Sequence, residues 1–137
     1  MRSSLMALAG GAAGVVFLAS CGGGGTSPYG GGGGGGGGCT PTATQVCMVG
    51  LSFSPESLAV PMGTTVTWLN GSTDTHTVTS ATGSTELFNS GNPPAGVSPS
   101  ATFTHMFQTK GNYHYYCQYH GFNGSPPTGM HGTITVQ

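Results

Sequence analysis

The sequence predicts one all-β domain, folded as a sandwich or a small barrel, within residues 39–137. Short runs rich in Thr, Val, Phe and Tyr recur along this part of the chain, and turn residues separate them. No stretch of helical length shows the periodicity of an amphipathic helix. A segment of roughly 100 residues is long enough to bury one core of this kind.

Each predicted strand has a local signal. The run TTVTWLN (64–70) alternates Val66 and Trp68 with threonines, which is the period of two that a half-buried strand shows. Five other runs have the same residue character: 46–53, 75–80, 101–108, 112–117 and 132–137. Turn residues stand between them, at 54–57, 61–63, 70–74, 90–96 and 110–112.

The N-terminal part of the chain has a different composition. Arg2 precedes an uncharged apolar stretch that ends in small residues, and residues 1–20 are therefore expected to be an export signal. The ending LASC (18–21) resembles a bacterial lipobox, so we expect Cys21 to carry the lipid that anchors an exported protein in the bacterial cell envelope. The glycine-rich residues 21–38 are expected to form a flexible tether, with a tail of no function as the alternative.

Few side chains of this protein are charged. Charged residues make up 4% of the sequence, and the formal net charge is −1. A nucleic-acid-binding protein needs a basic surface that holds phosphates, so this class is excluded. Without the export signal, the only Lys or Arg is Lys110, against Glu56, Asp74 and Glu86. Such a charge distribution steers a partner only weakly.

The four cysteines have different expected fates. With Cys21 assigned to the lipid, three remain in an oxidising compartment. Cys39 and Cys47 lie close in sequence, and we expect them to form a disulfide. Cys117 is then left over, and it is either buried and inert, paired with another chain, or bound to a metal.

The strand that ends at Cys117 carries the thiol toward the core. Alternation along residues 112–117 places Tyr113, Tyr115 and Cys117 on one face and His114 on the other. Because the aromatic face is expected to be the buried one, the thiol points inward where the strand ends.

Three other side chains can reach the same point. His120 follows in the next loop, Met130 stands just before the last strand, and His76 begins the strand predicted at 75–80. A thiolate, two imidazoles and a weak thioether form the ligand set of electron-transfer copper sites. Zinc is the closest rival, but a thioether is a poor zinc ligand.

These residues and motifs resemble the cupredoxins, the small blue-copper proteins that include plastocyanin, amicyanin and pseudoazurin. The matching pieces span nearly all of residues 46–137: GTTVTWLN, the histidine of THTVTS, TFTHMFQTKGNYHYYCQYH and GMHGTITV. The resemblance implies a Greek-key β-sandwich or barrel that binds one type 1 copper ion. It also implies that His76, Cys117 and His120 are the equatorial ligands and Met130 the axial one.

The segment between His120 and Met130 departs from the family. It is longer than usual and reads GFNGSPPTG, which we expect to bulge as a loop without a shift of the strands. Met106 and Met62 are alternative thioethers, but neither stands at a position that matches the motif. Among the other histidines, His131 is expected to face solvent.

The resemblance implies a carrier of single electrons that binds no substrate. Electrons would pass at the edge of His120, and uncharged loop residues would surround that edge: Gly121, Phe122, Pro126 and Pro127. Redox partners are expected to dock on this surface in small, short-lived contacts. We expect a monomer that touches the membrane only through its lipid.

Two alternatives use the same scaffold. A copper carrier or storage protein of the cell envelope would have the same ligands but would need a labile site. A structural lipoprotein without metal would be unaffected by Cys117→Ser. An enzyme is not expected, since one closed site leaves no open coordination position and the sequence shows no nucleophile–base pair.

Overall fold

The computed structural model describes residues 38–137, and these form β-strands and turns with no helix. The predicted all-β class is confirmed. The strands are β1 (Gln45–Val49), β2 (Ser52–Ser54), β3 (Ser57–Val60), β4 (Thr65–Asn70), β5 (Thr79–Ser80), β6 (Thr102–Met106), β7 (Gly111–Phe122) and β8 (Thr128–Val136).

Several predictions fall outside these residues. The export signal (1–20), the lipidated Cys21 and the tether up to residue 37 lie in the part that is not described. Between residues 38 and 137, no helix exists that could cross a membrane.

The strands form two four-stranded sheets of mixed direction. The first sheet has the order β2-β1-β4-β6, and β1 runs parallel to β4. The second has the order β3-β8-β7-β5, and β3 runs parallel to β8. The long antiparallel pair β7–β8 forms the centre of the second sheet.

The core lies between the two sheets and is aromatic at its centre. The indole of Trp68, from β4, meets the ring of Tyr115, from β7, edge to face at a centroid distance of 5.4 Å. The rings of Phe88, Phe103 and Phe107 also pack against this indole. Contact between inward-facing residues of both sheets is what makes this a sandwich.

A disulfide covers the outer face of β1. Cys47 is buried although its neighbours Val46 and Met48 face the core on the other side of the strand. The sulfurs of Cys39 and Cys47 are bonded, with a Cα–Cα distance of 5.8 Å. Cys47 is also the register partner of Leu69 on β4, so the bridge holds the first described residues against the first sheet.

Two strand predictions at the start of the domain were wrong in detail. The run 46–53 is two strands, because Gly50, at a φ of 54°, turns the chain between β1 and β2. Residues 57–60 were not predicted as a strand, yet they form β3. This strand is four residues long and pairs in parallel with the distant β8, so nothing local in the sequence marks it.

The segment between His120 and Met130 was predicted to be a loop, but its two ends are strand and only residues 123–127 lie outside the strands. β7 continues to Phe122 and β8 starts at Thr128, and these two residues are register partners, as are Gly121 and Gly129. The additional length is therefore an extension of the β7–β8 hairpin, with residues 123–127 as its tip. We call residues 121–129 the hairpin extension.

Candidate metal centre

Three metal-ligating side chains meet at one end of the sandwich. They are His76, Cys117 and His120, and their ligand atoms all lie within 4.8 Å of one another. The Cys117 Sγ atom is 3.7 Å from Nδ1 of His76 and 3.5 Å from Nδ1 of His120, and the two Nδ1 atoms are 3.2 Å apart. Across residues 38–137, no second group of His, Cys, Asp and Glu converges in this way.

His76 stands in the segment that crosses from the first sheet to the second. Its N–H donates to the Val97 carbonyl at 3.2 Å, and its own carbonyl accepts from the Val97 N–H at 2.7 Å. Gly96 permits this approach, since a Cβ there would lie 2.5 Å from the His76 carbonyl oxygen. Pairing with Val97 keeps His76 out of the ladder beside β7, so β5 starts at Thr79 and the predicted strand 75–80 is too long.

Cys117 is fully buried and its sulfur meets a backbone donor. The Thr77 N–H points at Cys117 Sγ over 3.4 Å. On the next residue, the Gln118 N–H donates to the Thr77 hydroxyl at 2.7 Å. The segment that carries His76 and the strand that carries Cys117 are therefore joined beside the sulfur, and the donor against that sulfur suits a metal-bound thiolate.

Met130 lies opposite the Cys117–His120 segment on the neighbouring strand. Tyr116 pairs with His131, and the next pair along the ladder is Gly121 with Gly129. Four residues of β7, 117 to 120, therefore face Met130 alone, which is a bulge that turns His120 toward Cys117. Met130 itself is 2% exposed.

A glycine, Gly129, stands where the bulge ends and regular strand pairing resumes. Gly129 has a φ of +76°, and a Cβ at this position would lie 2.6 Å from the His120 carbonyl oxygen. A side chain at residue 129 would thus push against the backbone of a candidate ligand as well as strain its own.

The surroundings of His120 differ from those of the buried His76. His120 is half-buried, and the ring of its neighbour Tyr119 lies 6.0 Å from it between centroids. Phe122 is 75% exposed on the hairpin extension, whereas Pro127 is buried and contributes no surface, contrary to the expectation for that residue.

The pKa of His76 is lowered from its usual value. Burial is the main cause, and a positive charge on His120 would lower it further, while the carboxylate of Asp74 acts in the opposite direction. A lowered pKa favours the neutral imidazole, which is the form that binds a metal.

Sequence reasoning missed the residues behind His76. The Ser72 hydroxyl lies 2.8 Å from His76 Nε2, and the side chain of the fully buried Asn70 lies 2.7 Å from that hydroxyl. One signal could have identified Asn70. It shares the inward parity of Val66 and Trp68 along β4, and a buried amide needs hydrogen-bond partners.

The alternative thioethers and the other histidines are not part of this group. Met62 and Met106 are 55% and 51% exposed, whereas Met130 is buried. His131 is half-buried, with its ring 2.8 Å from the Gly129 carbonyl and 3.4 Å from Glu56. His114 contacts Thr133 on the outer face of the second sheet.

A family of known proteins has this sequence pattern. The model of copper binding proteins of the plastocyanin/azurin family matches residues 40–137. The chain belongs to this family. The predicted resemblance and the predicted copper cofactor are thereby confirmed.

Individual relatives agree with this assignment. The chain is 30% identical over 99 residues to plastocyanin from Scenedesmus fuscus, covering 64% of this chain and 88% of that protein. Among solved structures, it is similar to a purple cupredoxin from Nitrosopumilus maritimus, with 28% identity, a TM-score of 0.51, and coverage of 69% of this chain and 99% of the other.

A copper enzyme also contains a similar domain. The Cu-containing nitrite reductase from Thermus scotoductus SA-01 matches with 27% identity and a TM-score of 0.55 over 72% of this chain. This chain spans 23% of the reductase, so the likeness concerns one part of that protein.

The residues of this chain fit a copper ion. A buried thiol with a backbone donor, two imidazoles that both present Nδ1, and a buried thioether on the facing strand combine soft and borderline ligands. This is the donor set that copper prefers in electron-transfer sites.

Proposed function

We propose that this protein transfers single electrons through one copper ion held by His76, Cys117, His120 and Met130. The observation that carries the proposal is the convergence of one buried thiol and two imidazole Nδ1 atoms, one from a buried and one from a half-buried histidine. Copper, when bound to such a set, alternates between Cu(I) and Cu(II).

The protein's part is to keep these side chains in place for both oxidation states. The Val97 pairing fixes the backbone of His76, the Thr77 amide fixes the sulfur of Cys117, and the bulge opposite Met130 fixes His120. A rigid set of ligands moves little when an electron arrives or leaves, and little movement permits fast transfer.

The half-buried His120 offers an electron the shortest path from the metal to the protein surface. Its neighbours Tyr119 and Phe122 are exposed and uncharged, and we expect redox proteins to dock on them. Contacts of this kind are small and short-lived. The protein would act as a monomer, with no role for nucleic acid.

Electron transfer is preferred to catalysis because of the number of sites. The described residues bring together one group of His, Cys, Asp and Glu ligands, and with Met130 as a fourth ligand one copper ion would have a complete coordination set. A copper carrier would use the same ligands, and it would be distinguished by rapid loss of Cu(I) to a mild chelator.

The decisive experiment is the visible absorption spectrum of the oxidised, copper-loaded protein. We expect an intense sulfur-to-copper band for the wild type and its complete loss in Cys117→Ser, because only a bound thiolate gives this transition. The control is Ser80→Ala, which removes a hydroxyl acceptor from the Phe88 N–H away from the ligands and should keep the band. A wild type without the band, or a Cys117→Ser variant that retains it, would contradict the proposal.

We further propose that the protein acts in the bacterial cell envelope, anchored by lipid on Cys21. Support comes from the LASC sequence and the glycine-rich residues that follow it. In cell fractionation, the wild type should remain with the membranes and a Cys21→Ser chain should leave them. Equal partition of the two chains would exclude the lipid anchor.

A further inference from the structure

Two polar side chains lie on the Nε2 side of the His76 imidazole: Ser72 contacts the ring, and Asn70 contacts Ser72. The His76 Nε2 atom lies 2.8 Å from the Ser72 hydroxyl. That hydroxyl lies 2.7 Å from Oδ1 of Asn70 and 3.2 Å from the Asp74 carbonyl. His76 and Asn70 are both fully buried, so the direction of each hydrogen bond matters for stability.

The orientation of the Asn70 amide follows from its partners. Its Nδ2 donates to two carbonyls, Asp74 at 2.7 Å and Val97 at 2.8 Å, which can only accept. Its Oδ1 accepts from the Ser72 N–H at 2.9 Å, which can only donate. A flipped amide would face all three groups with the wrong polarity, so Oδ1 must be the atom beside the Ser72 hydroxyl.

The polarity of the hydroxyl follows in turn. Both Asn70 Oδ1 and the Asp74 carbonyl are acceptors, so the single hydroxyl hydrogen of Ser72 is directed to them. Ser72 Oγ therefore faces His76 with a lone pair, which can only accept a hydrogen bond. The contact at Nε2 is then satisfied only if His76 carries its proton on Nε2.

We propose that Ser72, oriented by Asn70, is the positioning residue that fixes His76 as the Nε2–H tautomer. This inference rests on the proposed role of His76 as a ligand. It leaves Nδ1, the atom 3.7 Å from Cys117 Sγ, unprotonated and available to a metal before any metal arrives. Asn70 also links Val97 to the 70–74 turn, so the same amide sets the tautomer and the position of His76.

The test is the tautomeric state of His76 in the full chain before copper is added. Long-range proton–nitrogen correlation spectra distinguish a ring protonated on Nε2 from one protonated on Nδ1. We expect the wild type to show the Nε2–H form alone, and Ser72→Ala to show a mixture, because alanine removes the acceptor. Ser72→Thr restores a hydroxyl and should restore the single tautomer.

Copper binding provides a second readout. Loss of a residue that orients a ligand typically weakens metal affinity by about 10- to 100-fold, and we expect Ser72→Ala to weaken Cu(I) binding by this factor. Ser80→Ala is the matched control, since it removes a serine hydroxyl of similar burial without touching a ligand, and it should change neither readout.

Two outcomes would overturn the proposal. One is a wild-type His76 that is protonated on Nδ1, which can be seen even if Ser72→Ala fails to fold. The other is a Ser72→Ala chain with the same tautomer as the wild type. Because the tautomer is read without copper, this result is independent of whether the absorption experiment supports electron transfer.

Discussion

Glu86 is the carboxylate with the most hydrogen bonds in the described chain, and it lies far from the ligands. It accepts from the backbone N–H groups of Gln108 and Thr109, and from the Thr109 hydroxyl. Its other oxygen lies 3.3 Å from the His105 ring. The carboxylate thereby ties the loop after β5 to the turn between β6 and β7.

These contacts make stability depend on pH. Burial alone would raise the pKa of Glu86, but the hydrogen bonds from Thr109, Gln108 and His105 outweigh it, and the pKa lies below its ordinary value of 4.5. A lowered pKa in the folded state means that the carboxylate stabilises the fold above this ordinary value. The contribution is lost as the pH falls through the lowered pKa.

We predict that Glu86→Gln lowers the free energy of unfolding by on the order of 1 kcal/mol near neutral pH, because charged acceptors form the stronger hydrogen bonds. The difference from wild type should shrink as the solution becomes acidic. Denaturant unfolding across this pH range measures it. Glu56→Gln is the control: that side chain is 68% exposed and forms an ion pair with His131, so little change is expected. A constant difference at all pH values would contradict the argument.

At this scale the sequence predicted the ligands better than their supports. His76, Cys117 and His120 were selected because their residue types are suited to copper and because they follow the order of a known family. Glu86 forms no such pattern, since its partners His105 and Thr109 lie far along the chain. Ser72 is one polar residue among several in the 70–74 turn, and only the folded turn brings it to His76. Among these supporting residues, only Asn70 could have been identified from the sequence, because it has the same inward parity on β4 as Val66 and Trp68.

The hairpin extension shows how a strand pair tolerates a longer connection between two ligands. After the bulge at 117–120, the ladder resumes with Gly121 opposite Gly129 and Phe122 opposite Thr128. The ligand segment is thus closed off by paired backbone before the tip begins. The length of the tip should have no influence on the position of His120 or Met130.

We predict that deleting Ser125, Pro126 and Pro127 leaves the copper absorption band unchanged. The deletion joins Phe122 and Thr128 through Asn123-Gly124, a pair that favours the tight turn of a two-residue hairpin. The spectrum of the copper-loaded variant measures the outcome.

The control is Gly129→Ala, which adds a Cβ at a positive φ, 2.6 Å from the His120 carbonyl oxygen, and should shift or weaken the band. If the shortened chain lost the band while Gly129→Ala kept it, the tip would be setting the ligand positions and this account would be wrong.

Elements were predictable where the pattern is local. β4, β6 and the first part of β7 show alternation that the structure follows. The hairpin extension was read as a loop because Gly and Pro are frequent in it, and β3 was missed because its pairing partner is distant. The first error comes from composition, and the second from a pairing that no short window of sequence contains.

Charge is sparse and lies mostly away from the candidate docking surface. Lys110 precedes β7, so the extended chain places it about 20 Å from Cys117. Glu86 contacts Thr109 and thus lies at that same end, while Glu56 contacts His131 on the second sheet. Asp74 stands two residues before the ligand His76.

We predict that electron exchange between oxidised and reduced copies changes by less than about threefold between low and high salt, because the docking surface is uncharged. NMR line broadening in mixtures of the two forms measures this rate. Ser125→Lys places a charge on the tip, and its exchange should be slower at low salt and recover as salt is added. A steep salt dependence in the wild type would mean that charges guide the encounter.

The candidate ligands come from the second sheet and from the segment that connects the first sheet to it. His76 lies in the crossing from the first sheet to the second, whereas the other three candidates stand on the β7–β8 pair. A bound copper ion would therefore link the second sheet to the chain that leads from the first. Separation of the two sheets would break this link and abolish the sulfur-to-copper absorption band. The colour of the copper-loaded protein would then report whether the protein is still folded, and it could be followed by eye during purification, storage or heating.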